Sequence, residues 1–95
     1  MKRFLLGLEE VTKLTQLESL KLHGNRLTEV TPLAKCGQLT YLHLGNNQLT
    51  DLSPLAKLTM LEQLHLNNNP NLTQIEVDKL QKALPKCEIK HNAKE

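Results

Sequence analysis

The chain falls on itself when it is shifted by 22 residues, and this self-similarity constrains its fold more than any other feature. LESLKLHGNRL begins at Leu17, LTYLHLGNNQL at Leu39 and LEQLHLNNNPNL at Leu61. Each reads L-x-x-L-x-L-x-x-N, with Asn25, Asn47 and Asn69 in the ninth place. A fourth copy starts 23 residues further on, after the additional residue in NPNL; it places Leu84, Cys87, Ile89 and Asn92 in the same frame. The second halves repeat as well: VTPLAKC (30–36) matches LSPLAKL (52–58). Run backwards, the frame fits LEEVTKL (8–14), with Leu5, Leu8, Val11 and Leu14 on core positions, so the chain begins in the middle of a repeat.

The leucines of residues 39 to 58 follow one another at steps of 3, 2, 5, 3, 3 and 3, which neither a helix nor a strand sustains. Read piecewise, the pattern is consistent. L-x-L is a short strand with one face inward. The asparagine turns the chain, its amide bonding otherwise unpaired backbone in its own coil and the next. The remaining leucines line a return path of short helical or 3₁₀ turns, since 22 residues leave no room for a long helix. Thr31-Pro32 and Ser53-Pro54 read as an N-cap followed by proline in a first helical turn. One such coil buries too little to offset the ordering of its chain. Stacked coils share core and strand ladder, so the array folds where the unit cannot.

These motifs resemble the leucine-rich repeat family over residues 5 to 92, in the short 22-residue class found in bacterial internalins and in a phosphatase-regulating subunit. The resemblance implies an α/β solenoid: a right-handed coil with a parallel concave sheet of about four short strands, a 3₁₀ or irregular convex side, and binding on the concave side. Residues 1–95 then form one domain: a partial repeat over 1–16, repeats over 17–38, 39–60 and 61–83, and a capping strand and tail over 84–95. The missing half-repeat suits the C-terminal end of a longer array, whereas Met1 allows a whole protein.

A solenoid must close its ends. Thr73 and Glu76 fit a capping box opening a helix over 74–83, with Val77, Leu80 and Leu84 as its apolar stripe, and Pro85 stops it. At the other end Phe4 falls where the later repeats carry Arg26 and Gln48, and Leu6 where they carry Thr28 and Thr50. Two readings stand: these side chains fold over the open end and plug it, or they form a self-association edge and a homodimer.

The residues between the strand leucines point out of the concave sheet. In the third, fifth and seventh places they are Ser19, Lys21, His23; Tyr41, His43, Gly45; Gln63, His65, Asn67; and Lys86, Glu88, Lys90. The fifth-place column therefore runs Lys21, His43, His65, Glu88, with His23 diagonal to His43. Tyr41 is the anchor expected of a recognition surface, with Lys21, His23, His43, Gln63, His65, Lys86 and Glu88 around it. Two histidines and a carboxylate can ligate zinc, but repeat duplication alone produces such a ladder, and a flat sheet supplies no second shell; no metal site is assigned. Ser19 and His23 lack an orienting acid, so no catalytic residues are assigned either. Cys36 and Cys87 take interior positions two coils apart on different walls, which argues against a disulfide between them.

The sequence therefore points to a non-catalytic module without a cofactor, binding an unknown protein or peptide. A net charge of +2 is too weak for nucleic acid, and the late lysines alternate with acids as a solvated face does. No apolar run is long enough for a membrane span or a signal peptide, which leaves a cytoplasmic setting as the default expectation.

Overall fold

The computed structural model describes residues 15–93. Phe4, Leu6 and the partial first repeat lie outside the described residues. The described residues run through four three-residue strands: β1 (Ser19–Lys21), β2 (Tyr41–His43), β3 (Gln63–His65) and β4 (Glu88–Lys90). Among these residues two 3₁₀ segments, Thr31–Lys35 and Ser53–Lys57, and one α-helix, α1 (Gln74–Ala83), carry the return paths. The strands form one parallel sheet in the order β1-β2-β3-β4. Consecutive parallel neighbours require a crossover every time, and the 22-residue spacing supplies it.

The middle repeat accounts for all its leucines. Leu39, Leu42, Leu44, Leu49, Leu52, Leu55 and Leu58 are each 0% exposed. The strand step of two puts Leu42 and Leu44 on one side of the sheet; the steps of three carry Leu52, Leu55 and Leu58 around the 3₁₀ turn, whose side chains recur every third residue. The i→i+3 bonds of that turn are present: Leu55 N–H donates to Leu52 O at 2.9 Å and Leu58 N–H to Leu55 O at 3.0 Å. Each buried leucine contributes about 1.5–3 kcal/mol. Leu17, Leu20 and Leu27 of the first described coil are only partly buried.

The 3₁₀ segments correct one expectation. Val30 and Leu52, not Thr31 and Ser53, precede the first turn, and neither end has a side-chain cap. Val30 and Leu52 are held in the core at 0% exposure, which moves the polar residue and the proline one place into the helix. Proline is tolerated there because that N–H has no partner within the turn. The Ser53 N–H is taken by Asp51 Oδ1 at 2.9 Å.

Helix α1 has the expected bounds, and Thr73 caps it, its Oγ1 accepting from Glu76 N–H at 3.2 Å. The return arm of the capping box is absent. Glu76 Oε2 instead accepts from Leu52 N–H in the preceding coil at 2.9 Å. The carboxylate thus ties the helix to the 3₁₀ coil beneath it.

The largest correction concerns the fourth strand. In the repeat frame Cys87 would stand beside Leu64, but β4 pairs Gln63 with Glu88, Leu64 with Ile89 and His65 with Lys90. The pairing distance is 25 residues, where the frame of the sequence had 23. Helix α1 is the cause. Leu84 closes the helix by donating to Leu80 O at 2.9 Å, so it cannot also begin the strand. Cys87 takes Leu61's place: its N–H donates to Leu84 O at 3.1 Å, as Leu61 N–H donates to Leu58 O at 3.0 Å. Gln81 Nε2 stitches the turn by donating to Leu84 O and Cys87 O.

The asparagines follow the same divide. Asn47 is 2% exposed. Its Nδ2 donates to Leu22 O, Leu44 O and Gly45 O, and its Oδ1 accepts from Asn25 N–H and Leu27 N–H at 3.0 and 2.9 Å. Asn69 repeats the pattern toward Leu44 O, Leu66 O and Leu49 N–H. Asn25 Nδ2 donates to Leu22 O and His23 O in its own turn. The bonds of Asn47 and Asn69 thus reach back to the preceding coil, not forward to the next. Asn92, two residues out of register, is exposed and pairs with Asn68 instead: its Oδ1 accepts from Asn68 N–H at 2.8 Å, and its Nδ2 donates to Asn68 Oδ1 at 3.1 Å.

Candidate functional site: the open face of the sheet

Registered pairing sets two rows across the open face. One is Ser19, Tyr41, Gln63, Glu88; the other is Lys21, His43, His65, Lys90. Lys90, not Glu88, thus stands beside His65, and Lys86 is not on the sheet at all: it lies in the exposed turn before β4. Both corrections follow from the two-residue shift that α1 imposes. Glu88 and Lys90 form an ion pair at 3.7 Å, with both side chains more than half exposed. Such a pair contributes little.

Within these rows the rings gather. His43 and His65 stack with centroids 4.9 Å apart and planes 18° apart. His23 leans diagonally onto His43 at 4.7 Å, and Tyr41 onto His65 at 5.4 Å. The diagonal contact has a sequence cause. His23 lies opposite Gly45, one step past the paired Lys21 and His43, and glycine leaves the place open. A Cβ at Gly45 would meet His43 Cε1 at 2.8 Å. The ring is also tethered, since Gly45 N–H donates to His43 Nδ1 at 3.1 Å. That bond places the proton of neutral His43 on Nε2. Burial, then the neighbouring His23, His65 and Lys21, holds His43 below the ordinary imidazole range.

The stack is not arranged as a metal centre. The imidazoles of His43 and His65 present faces to one another, and Glu88 stands beside Gln63, away from the carboxylate place of the His-His-Glu set. Among the described residues no group of three or more His, Cys, Asp or Glu is placed to hold a metal ion. Cys36 and Cys87 are buried at 0% and 4% exposure with no disulfide between them; burial raises both thiols, which keeps them poor nucleophiles. No helix among the described residues is long and apolar enough to cross a membrane.

Two features of the face escaped sequence reading. Gly45 was only a gap in the outward list, yet it admits the His43 ring. The eighth place of the first three repeats, Gly24, Asn46 and Asn68, has a left-handed backbone with φ of 73°, 57° and 64°. The confinement of that place to Gly and Asn was a usable signal, because these residues tolerate positive φ best.

The comparisons with known proteins agree with this geometry. The family pattern described as Leucine Rich repeats (2 copies) matches residues 37–82, and that described as Leucine Rich Repeat matches residues 16–36. The chain belongs to the leucine-rich repeat family. It is similar to internalin C2 from Listeria monocytogenes at 32% identity and a TM-score of 0.72, covering 86% of this chain and 37% of that one. A leucine-rich repeat protein from Leptospira interrogans matches at 35% identity and a TM-score of 0.74, covering 85% of this chain and 21% of that one. An internalin, internalin F of Listeria monocytogenes, matches at 28% identity and a TM-score of 0.59, covering 90% of this chain and 31% of that one. The chain thus spans between a fifth and two fifths of the structures it resembles. Comparison with curated protein sequences gives no match.

Proposed function

We propose that this chain is a non-catalytic protein-interaction module that takes a protein or peptide partner on the open, concave face of its sheet. One observation carries the reading: the ring cluster of Tyr41, His23, His43 and His65 stands in contact on a rigid four-stranded sheet. Rigid rings offer large contact area at little entropy cost, which is why aromatic side chains anchor interfaces. The backbone beneath them is held by strand pairing and by Asn47, so the surface is preorganised. Lys21, Lys90 and Gln63 border it with polar groups.

The test is selection of ligands from a random peptide library on the purified chain, followed by calorimetry on the enriched sequences. Tyr41→Ala is expected to weaken binding by tenfold or more, at the scale of about 1.4 kcal/mol or above for a hot-spot ring. Lys57→Ala, on the opposite wall, should leave it unchanged. Ligands that ignore Tyr41→Ala and lose affinity with changes on the 3₁₀ side would overturn the reading.

A further inference from the structure

The open face carries a charge pattern that names the chemistry of what it would hold, provided the concave face is the binding face. Around the histidine stack, β1 contributes Lys21 and the segment just after it His23, β2 His43 and Tyr41, β3 His65, and β4 Lys90 and Glu88. Glu88 is the one carboxylate on the strands themselves, and Lys90 already engages it at 3.7 Å. Glu18 and Glu62 are exposed just ahead of β1 and β3, three residues before the row of Lys21, His43 and His65. The ring row thus has ammonium groups at both ends. Had Glu88 stood beside His65, as the repeat frame required, an internal carboxylate would have served the stack. The shift of β4 puts Lys90 there instead.

We infer that the His23–His43–His65 stack, bracketed by Lys21 and Lys90, is a proton-linked site for an acidic peptide segment, which it binds more tightly as pH falls. The physical basis is the spacing. His23 and His65, with ring centroids 4.7 and 4.9 Å from that of His43, and Lys21 beside it resist the protonation of His43. A row of carboxylates lying along the stack removes that resistance, so binding takes up protons. His43 is the centre of this effect. Its Nδ1 is occupied by the Gly45 N–H until the ring protonates and turns, which leaves Nε2–H as the donor for a carboxylate.

In the free chain His43 titrates below its ordinary value; beside carboxylates its titration moves up. Affinity therefore rises as pH falls through the value in the complex and levels off below the value in the free chain. Each proton taken up contributes up to about tenfold in affinity per pH unit within that window. The carboxylates of an aspartate-rich partner stay ionised across it, with an ordinary pKa of about 3.9.

The experiment titrates the purified chain with a short oligo-aspartate peptide by calorimetry at about pH 5.5 and about pH 7.5, in buffers of different ionisation enthalpy so that proton uptake is read directly. Binding at least about tenfold tighter at the lower pH, with net proton uptake, is expected. A variant with His23, His43 and His65 all changed to Gln should lose both effects. Equal affinity at the two pH values, no binding at either, or a pH dependence that survives in the Gln variant would overturn the inference. Because that variant also removes the ring contacts, NMR titration of the wild-type imidazoles with and without peptide gives a second reading: upward movement of His43 and His65 supports the proposal, and unmoved titrations overturn it. The library selection separates the two levels. Neutral ligands that need Tyr41 but show no pH dependence would leave the concave binding face standing and remove its acidic partner.

Discussion

The middle coil and the C-terminal coil begin with nearly the same words, LTYLHLGNNQL and LEQLHLNNNPNL, and they end differently. After Leu49 the chain returns through a five-residue 3₁₀ segment and meets the next strand in step. After Leu72 it returns through the ten-residue α1 and arrives two residues late. In the middle coil Asn47 is buried and bonds two coils; at the end Asn92 is exposed and bonds only Asn68. The difference teaches that an asparagine in this frame is structural only where the return path delivers it to the bend. Residue type and spacing are identical at the two sites; the path length before them is not.

The comparison is broken most severely at the asparagines. Asn47→Ala takes the Oδ1 acceptor from the Asn25 and Leu27 amides inside the bend, and is expected to cost about 2–4 kcal/mol in urea unfolding. Asn92→Ala should cost under about 0.5 kcal/mol, as surface changes do. Equal costs would mean that the two bends are equivalent after all. Glu76→Ala tests the tie between the regular and capped coils. It removes the acceptor of the Leu52 N–H, with about 1–2 kcal/mol of stability expected to go with it. Thr73→Ala, which removes only the helix cap, is expected to cost about 1 kcal/mol.

Smaller effects sharpen the register. Lys90→Ala should weaken oligo-aspartate binding several-fold, whereas Lys86→Ala should leave it unaltered, because Lys86 lies off the sheet. The reverse result would restore the uninterrupted repeat frame. Gly45→Ala acts on the stack directly. The added Cβ meets the movable edge of the His43 ring at 2.8 Å and Asn67 O at 3.3 Å, so the ring swings aside and the neighbouring backbone gives slightly, at a cost of about 1 kcal/mol. The readout is the stack itself: NMR should show the His43 shifts leaving those of His23 and His65.

The family, the parallel sheet, the capping helix and the outward rows of the first three repeats are all legible in the sequence. The period-2 strand leucines and the step-3 return leucines demand opposite walls of one coil, and Thr73 and Pro85 bracket a helix that has little choice of bounds. The neighbours Lys21, His43 and His65 followed from the 22-residue spacing alone. What was illegible at the C-terminal end shares one cause: it depends on how far a return path travels. The distance covered by α1 shifted β4, exchanged Glu88 for Lys90 beside His65, expelled Lys86 from the sheet and left Asn92 exposed. Glu76 was misread for a related reason, because a capping-box pattern contains no word about the Leu52 amide in the coil below.

By itself, then, the sequence determined the core that repeats, since a hydrophobic period is a local statement that each coil makes again. The tertiary structure decided everything at the place where repetition stops. There, an α-helix rising about 1.5 Å per residue replaced a 3₁₀ turn rising about 2 Å, and the register of the last strand, with the charge beside the histidines, followed from packing that helix against its neighbour.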